Sequence, residues 1–289
     1  MRRESLLLLL PALALVTAAV AVPILRVAYL SFTQVELDGG MAVHWAGLGP
    51  TLRLWGDDRF HTALRNTALF SGASVLLETL LGIAVALLLD VRFRGRGVVR
   101  ALTLIPWALP TAVIALAWAW IFNDAFGVAN DLLRRAGLVA TPIAWLSGRG
   151  TAMAALVLAD VWKTTPFVAI LVLAGLQGIP QEVVEAARLD GLGPLQRLWR
   201  VVLPLLAPSI LAAVLFRAAQ AFGAFDLVYV MTGGGPGGST ETVSLYAYQA
   251  YFRYLDFGYG SAIATNGVLL AALLLLGLRR AAHPRWRMS

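Results

Sequence analysis

The chain has 289 residues, of which 59% are hydrophobic and only 13% are charged, and its formal net charge is +7. A soluble domain carries roughly a quarter charged residues, so this composition indicates a polytopic membrane protein. The sequence contains no Cys, which excludes disulfides, thiol chemistry and Cys-based metal sites. Its basic residues are almost all Arg and are scattered along the chain, so the positive charge does not indicate nucleic-acid binding.

Six apolar segments are each close to the ~20 residues that a membrane-spanning helix needs. They cover residues 6–27, 67–89, 101–122, 151–176, 205–230 and 257–278. The first follows Arg2 and Arg3, but its apolar run is too long for the core of a secretory signal, so we expect an uncleaved anchor. We therefore predict an all-α polytopic membrane protein with six transmembrane helices.

The distribution of Arg predicts the orientation of these helices. More Arg residues lie in the segments that share a side with the N-terminus than in the longer segments opposite them. Cytoplasmic segments of membrane proteins carry an excess of basic residues, so we expect both termini and residues 177–208 to be cytoplasmic. The short basic segment 90–100, on the same side, is suited to electrostatic attraction by anionic lipid headgroups.

Three segments are predicted to lie outside. Residues 31–66 form a polar loop or small cap without enough apolar residues for a core of their own. Residues 123–150 contain a short helix near 128–136, followed by Trp145 at an interfacial position. The run TGGGPGGST at 232–240 lacks the Lys of a phosphate-binding loop, so it predicts a flexible turn, followed by a short helix within 241–252.

The polar segment 177–208 carries helix signals between two apolar spans. Pro180 can open a helix at its first position, and Gly191 is suited to a left-handed stop. A second short helix is predicted over 195–202, and Pro204 marks the start of the next span. Two short helices bent at a glycine favour a docking element, and an amphipathic loop on the membrane surface is the alternative.

Ionisable residues inside the predicted spans are Glu78, Asp160, Lys163, Arg217 and Asp226. Each costs about 2.5–3.5 kcal/mol at the centre of a membrane helix, so each needs a partner or a watery cavity. Asp160 and Lys163 are three residues apart, on one helix face, and are expected to pair. This pair either fixes helix packing or borders a polar substrate path, whereas Glu78 has no polar neighbour in its span and is expected to serve packing.

Two further features concern the third and fifth spans. Pro106 and Pro110 bracket Trp107 and are expected to loosen the third helix, which could open a cavity. Trp107 either packs in the interior or stacks on the apolar face of a sugar. Arg217 and Gln220 are three residues apart and share a face of the fifth span.

The segment 177–208 resembles the EAA motif of permease subunits in binding-protein-dependent ABC importers. Identical positions are Glu185, Ala186, Ala187, Gly191, Leu203 and Pro204, while Val201 stands where the family has Ile. In that family the loop docks on cytoplasmic ATPase subunits. The resemblance implies that coupling role for Glu185, Ala186, Ala187, Asp190, Gly191, Leu203 and Pro204.

Other runs resemble the sugar-permease branch of this family. They lie at 65–70, 93–110, 160–167, 173–180 and 225–237. The resemblance implies a type I ABC importer transmembrane fold, with a sugar bound halfway across the membrane. The implied sugar-lining residues are Trp107, Thr111, Asp160, Lys163, Thr164, Gln220, Ala221 and Ala224. Ala221 and Ala224 replace amides of the maltose permeases, which leaves a sugar other than maltose open.

The same resemblance implies the partners and the location. A second related permease, two ATP-binding cassette subunits and an extracytoplasmic solute-binding protein are expected, in the inner membrane of a prokaryote. ATP is used by the partner subunits, so no cofactor, metal or ATPase site is expected on this chain. The implied division is an anchor and external loop at 1–64, a permease core at 65–281 with coupling helices at 180–203, and a tail at 282–289.

Three other functions are weighed against this one. A stand-alone secondary carrier or channel would use the membrane carboxylates as proton or sodium sites. An ABC permease for glycerol phosphate would share the coupling loop. A membrane enzyme is disfavoured, because His44, His61 and His283 are scattered in loops and no HExxH or GxSxG motif is present.

Overall fold

The computed structural model describes residues 3–36, 42–91 and 93–282. Its helices are α1 (Arg3–Leu30), α2 (Gly49–Trp55), α3 (Asp58–Asp90), α4 (Arg96–Ala108), α5 (Thr111–Ile121), α6 (Val128–Arg135), α7 (Arg149–Gln177), α8 (Gln181–Leu189), α9 (Pro194–Arg197), α10 (Leu203–Phe222), α11 (Asp226–Met231), α12 (Val243–Tyr248) and α13 (Phe257–Ala282). Two π-helical turns occupy Leu198–Val202 and Gln249–Arg253, and two strands, β1 (Thr33–Glu36) and β2 (Ala42–Trp45), form an antiparallel hairpin.

Five helical segments of the described chain are long and apolar enough to cross a membrane, or six if the bent pair α4–α5 counts as one span. Each predicted span overlaps one of them. In α1, which has a mean hydropathy of 2.1 in its most apolar window, no part of that window is buried inside the subunit. This helix therefore presents its apolar surface to lipid or to another chain.

The third span is broken, so the prediction of one helix over 101–122 is wrong. α4 and α5 are bent by 89° at the break between them. Leu109 and Pro110 both have extended ψ values, of 144° and 134°. Pro110 disfavours the helical conformation of the residue before it and lacks a backbone N–H, so the helix ends at Ala108. The two prolines predict a loosened helix, and the structure has a complete break instead.

The fifth span differs from its prediction at both ends. It ends at Phe222 instead of 230, and α11 is a separate short helix that packs against α5. At the other end, α9 continues through the π turn into α10, so the second predicted docking helix is the beginning of the span itself. The π turn immediately before Leu203 widens the backbone, and Pro204 then falls in the first turn of α10 without breaking the helix.

The described chain divides into two compact units. One comprises the residues up to Ala63 together with Val243–Leu270, and the other comprises Leu64–Thr242 together with the residues from Ala271. The predicted division into anchor, core and tail stays a prediction. Its tail, 282–289, lies outside the described residues except for Ala282.

The first unit contains the hairpin, where sequence analysis expected only a loop or cap. Thr33 pairs with Trp45, and Phe32 stacks on the Trp45 ring at 5.8 Å. In the same unit, the Asp57 carboxylate accepts hydrogen bonds from Tyr246, at 2.5 Å, and from Tyr259. Burial alone would raise the pKa of Asp57, but these bonds and two from backbone N–H groups outweigh it and lower that pKa.

The second unit has its apolar core where α3, α7 and α10 meet. Its buried residues are Ala86, Leu89, Val168, Val172, Leu173, Leu206 and Ala213. A Cβ atom at Gly82 of α3 would lie 2.6 Å from Cγ1 of Val168 on α7, so the glycine is needed for this close approach. Small residues at helix contacts are typical of membrane bundles, in which van der Waals packing drives association.

The predicted outer segments of this unit are ordered by polar side chains. The short helix expected near 128–136 is α6, and Trp145 donates its ring N–H to Oδ1 of Asn130 at 3.0 Å. In the glycine-rich run, the Thr240 hydroxyl donates to the Gly235 carbonyl at 2.7 Å. Asn66 donates to the Gly238 carbonyl at 2.8 Å, so this run forms a hydrogen-bonded turn.

Candidate functional site

A buried ion network joins three membrane helices of the second unit. Arg217 on α10 donates from Nε and Nη2 to the two carboxylate oxygens of Glu78 on α3, at 2.6 and 3.0 Å. The same Nη2 donates to Asp160 on α7 at 3.0 Å, and Nη1 donates to Gln220 at 2.7 Å. The side chains of Glu78 and Arg217 are 0% and 4% exposed. The planar guanidinium, with its fixed fork of donors, is suited to holding two carboxylates and an amide at once.

The expected ion pair between Asp160 and Lys163 is not formed, so that prediction is wrong. Asp160 is paired with Arg217 instead. Among the described residues, Lys163 makes no hydrogen bond and has no carboxylate within ion-pair distance, although it is only 8% exposed. The reason is geometric, because Arg217 reaches Asp160 from a neighbouring helix while also holding Glu78. Sequence analysis expected Glu78 to serve packing but did not identify its partner, for which the available signal was the opposite charge of Arg217 in another span.

A cavity of about 400 Å³ lies next to the network. The break between α4 and α5 contributes Trp107 and Thr111, and the end of α10 contributes Gln220 and Ala224. All the predicted substrate-path residues line this cavity except Ala221, which is buried in the helix packing. The structure therefore brings those residues together, and their binding role stays a prediction. Additional lining residues are Arg217, Gly223, Phe225, Asp226 and Leu227.

The polar groups around the cavity include both hydrogen-bond donors and hydrogen-bond acceptors. Asp160 and Asp226 offer carboxylate oxygens, while Lys163 offers an ammonium group without a partner among the described residues. The Thr164 hydroxyl donates to the Asp160 backbone carbonyl at 2.6 Å and retains its acceptor capacity. Among the residues that line the cavity, Asp160 and Asp226 are balanced by Lys163 and Arg217, so the formal charge of the lining is zero. Charged hydrogen-bond donors and acceptors that line one cavity can bind ligand groups, such as hydroxyls, that both donate and accept hydrogen bonds.

Trp107 supplies an apolar wall. Its ring stacks on Phe167 at 5.6 Å between centroids, with an interplanar angle of 26°. Phe167 in turn contacts Phe216 of α10 at 4.9 Å. The indole is therefore packed against Phe167 while 41% of it stays exposed, and its stacking on a sugar stays a prediction.

The predicted coupling segment folds as α8, a left-handed turn and α9. Gly191 has φ of +80°, as predicted for the stop, and its N–H donates to the Arg188 carbonyl at 3.0 Å. At the start of α9, the Gln196 side chain accepts from the Gly193 N–H at 3.2 Å. Leu203 and Pro204 begin α10, beyond the π turn. The local chain geometry thus matches the predicted bend at one glycine.

α8 has two different faces. One face lines a groove formed with the ends of the membrane spans, through residues at helical spacing: Gln181, Val184, Glu185 and Arg188. The opposite face is exposed and carries Ala186 and Asp190, together with Glu182 and Val183, while Ala187 is buried. Of the predicted coupling residues, Ala186 and Asp190 therefore lie on the free face and Glu185 lies on the groove face.

Sequence and structure comparisons identify relatives of this chain. Residues 78–288 match the family described as binding-protein-dependent transport system inner membrane component. The trehalose/maltose transport system permease protein MalF of Thermococcus litoralis is 41% identical, over 89% of this chain and 86% of that protein. The sulfoquinovosyl glycerol transport system permease protein SmoG of Agrobacterium fabrum is 40% identical, over 91% and 85%. The trehalose transport system permease protein SugA of Mycobacterium tuberculosis is 35% identical, over 98% and 91%.

Solved structures share the fold. A chain of a bacterial alginate ABC transporter, crystallised with an alginate pentasaccharide-bound periplasmic protein, superposes with a TM-score of 0.83 at 20% identity, over 98% of this chain and 96% of that one. A chain of the MetNI methionine ABC transporter gives a TM-score of 0.53, over 82% and 97%. The predicted fold class is confirmed. The chain belongs to the family of binding-protein-dependent transport system inner membrane components, which are the permease subunits of ABC importers.

Proposed function

We propose that the chain forms half of the translocation pathway of an ATP-driven importer for a neutral di- or oligosaccharide of the trehalose and maltose type. The relatives named for trehalose and maltose transport support the substrate class. The single observation that carries the proposal is the cavity beside the ion network, whose lining combines Trp107 with charged hydrogen-bond donors and acceptors. Its volume of about 400 Å³ falls in the range of small-molecule sites.

The chemistry of the lining favours a sugar. Each sugar hydroxyl both donates and accepts, so neighbouring hydroxyls can bond to a carboxylate such as Asp160 and to Lys163 at the same time. The apolar face of a pyranose ring can stack on Trp107. Hydrogen bonds to charged groups are stronger than those to neutral ones, which compensates for removing the hydroxyls from water.

The charge of the cavity distinguishes this substrate from glycerol phosphate. Asp160 and Asp226 balance Lys163 and Arg217 around the cavity, and Arg217 is already held by Glu78 and Asp160, so an anion would enter a region of low dielectric without a surplus of positive charge. Lys163 is available to an anion, but Asp160 lies one helical turn away and Asp226 lines the same cavity. A neutral polyol uses both signs of charge without this cost.

We assign the energy source to partner subunits. The sequence lacks a phosphate-binding loop, so ATP would be bound and hydrolysed by two ATP-binding cassette subunits that contact the exposed face of α8. A second permease would complete the pathway, and an external solute-binding protein would deliver the sugar. Both termini and α8 would be cytoplasmic, in agreement with the excess of Arg on that side.

Uptake in a strain that lacks only this subunit tests the proposal. Restoring the gene should restore ATP-dependent uptake of labelled trehalose or maltose but not of glycerol phosphate. Uptake of glycerol phosphate alone would overturn the substrate class. Transport by the purified chain alone, in vesicles with an ion gradient and no ATP, would instead establish a secondary carrier.

A further inference from the structure

A second cavity lies at the end of the bundle, next to α8. It is a groove of about 1170 Å³ formed by the last turn of α3, the start of α4, the end of α7, and α8 and α9. None of its lining residues belongs to the substrate cavity. Its size leaves room for a ligand much larger than a single inorganic anion.

Positive charge dominates this groove. Its lining includes Arg96, Arg100, Arg188 and Arg197, against two carboxylates, Asp90 and Glu185. Arg100 is engaged by the chain itself, because Nη2 donates to the Leu89 carbonyl at 2.9 Å, near the C-terminus of α3. Within the described parts of the chain, the other three guanidinium groups form no ion pair and no hydrogen bond. They are therefore available to an anion.

The groove also has apolar walls. Leu87 of α3, Leu176 of α7 and Val202 of the π turn line it, together with Ile179 and Leu198. All of these residues except Ile179, which follows α7, belong to the ends of membrane spans, where the hydrocarbon of the bilayer gives way to the headgroups. A ligand that satisfies both surfaces has an anionic head and an apolar tail.

α4 supports a location at the membrane surface. Arg96 and Arg100 are one turn apart on the groove side, whereas Val98, Leu102 and Ile105 form a separate exposed stripe. A helix with basic residues on one side and apolar residues on another is typical of the bilayer interface. The stripe suits contact with the bilayer, while the acyl chains of a lipid bound in the groove would contact the groove's own apolar wall of Leu87, Leu176 and Val202.

We propose that this groove binds the headgroup of an anionic phospholipid of the cytoplasmic leaflet, held by Arg96, Arg188 and Arg197. The proposal rests on the orientation proposed above. Basic pockets between membrane helices on the cytoplasmic side are suited to acidic headgroups. The groove side of α8 would rest on lipid, and its opposite face would remain free for an ATPase subunit. The lipid would thereby hold the coupling helix against the ends of the spans.

Native mass spectrometry of the purified importer, titrated with phosphatidylglycerol or phosphatidylcholine, tests this site. The variant Arg96→Gln/Arg197→Gln should bind phosphatidylglycerol roughly 30-fold more weakly than the wild type, with phosphatidylcholine unaffected. The control Arg134→Gln/Arg135→Gln removes the same charge from α6 and should bind as the wild type does. Equal binding of phosphatidylglycerol by all three proteins would overturn the proposal.

Two further arms separate lipid from other ligands. Loss of the ATPase subunit from the Arg96→Gln/Arg197→Gln complex, with lipid binding unchanged, would assign the groove to a protein interface and overturn the proposal. Displacement of phosphatidylglycerol by equimolar glycerol 1-phosphate would assign it to a soluble anion, with the same consequence. If the double variant does not assemble, Asp90→Asn provides the test, because removing a negative charge should tighten phosphatidylglycerol binding severalfold. Unchanged phosphatidylglycerol binding by Asp90→Asn would contradict the proposal. None of these measurements depends on sugar uptake, so they test the groove separately from the proposed function.

Discussion

Arg217 on α10 holds Glu78 on α3 through two parallel hydrogen bonds, of 2.6 and 3.0 Å, with side chains that are only 4% and 0% exposed. The two residues are 139 positions apart in sequence. Asp160 on α7 accepts a third bond from the same guanidinium, so one cation links three helices beside the substrate cavity. This link makes the packing of the bundle and the lining of the cavity parts of one network.

The first prediction concerns the coupling between these charges. Arg217→Gln leaves two carboxylates without their cation in the interior, and we expect it to destabilise the subunit by about 3–5 kcal/mol. The double variant Glu78→Gln/Arg217→Gln removes the main uncompensated charge, so it should be less destabilised than the two single variants added together. Thermal unfolding of the purified importer measures this difference. Strictly additive losses would show that the two residues act independently.

Lys163 is expected to act on transport more than on stability. Its ammonium group makes no ion pair within the described chain, so Lys163→Met should leave the amount of assembled importer near the wild-type level. Loss of a hydrogen bond from a charged donor to the sugar should weaken transport affinity by roughly 10- to 100-fold. The measurement is the KM for sugar uptake at matched protein level.

Thr165→Ala is the matched control for that variant, because Thr165 is on the same helix and does not line the cavity. It should leave the KM unchanged. If the Lys163→Met importer is instead lost from the membrane, the result contradicts a binding role and assigns Lys163 to packing.

Close packing between α3 and α7 gives a third prediction. Gly82→Ala places a methyl group 2.6 Å from Val168, and we expect overpacking to cost about 1–3 kcal/mol. A Cβ atom at Gly72, on the same helix, would meet no other part of the chain within 4 Å, so Gly72→Ala should be neutral or stabilising by about 0.5–1 kcal/mol. Thermal unfolding of both variants checks the pair. Equal melting temperatures would mean that α3 and α7 are not in close contact.

The bend after α8 gives a fourth prediction. Gly191 has φ of +80°, a conformation that costs a residue with a side chain roughly 1–2 kcal/mol. Gly191→Val should therefore distort the turn and reduce sugar-stimulated ATP hydrolysis by the assembled importer. Gly193, with φ of −65°, lies two residues away and has room for a side chain, so Gly193→Ala should keep full activity. Wild-type stimulation in the Gly191→Val importer would show that the bend does not transmit the signal.

Local signals explain what could be predicted from sequence. Apolar length predicted the spans, and Gly191 predicted the left-handed turn, because each feature is determined by residues within the segment itself. Pro106 and Pro110 also indicated a weak point in the third span. The 89° angle at that point could not be read from them, because it depends on how α5 packs against α7 and α11.

Long-range pairing explains what could not be predicted. Spacing along α7 favoured a pair between Asp160 and Lys163, but the sequence carries no information on which helices are neighbours. Arg217 from α10 pairs with Asp160, and its second carboxylate comes from α3. The hairpin of β1 and β2 was missed for a related reason, because its four-residue strands are too short to give a clear alternating pattern.

The central claim is that α8 receives the energy of ATP hydrolysis from a cytoplasmic partner. The chain has no Cys, so a single introduced thiol reports one position. Leu189, at the end of α8, is 90% exposed, and Leu138, in the predicted outer segment, is 72% exposed. In the assembled importer, Leu189→Cys should crosslink to the ATPase subunit and Leu138→Cys should not. Labelling of Leu189→Cys by a membrane-impermeant thiol reagent in intact cells, without any crosslink to the ATPase, would contradict the account.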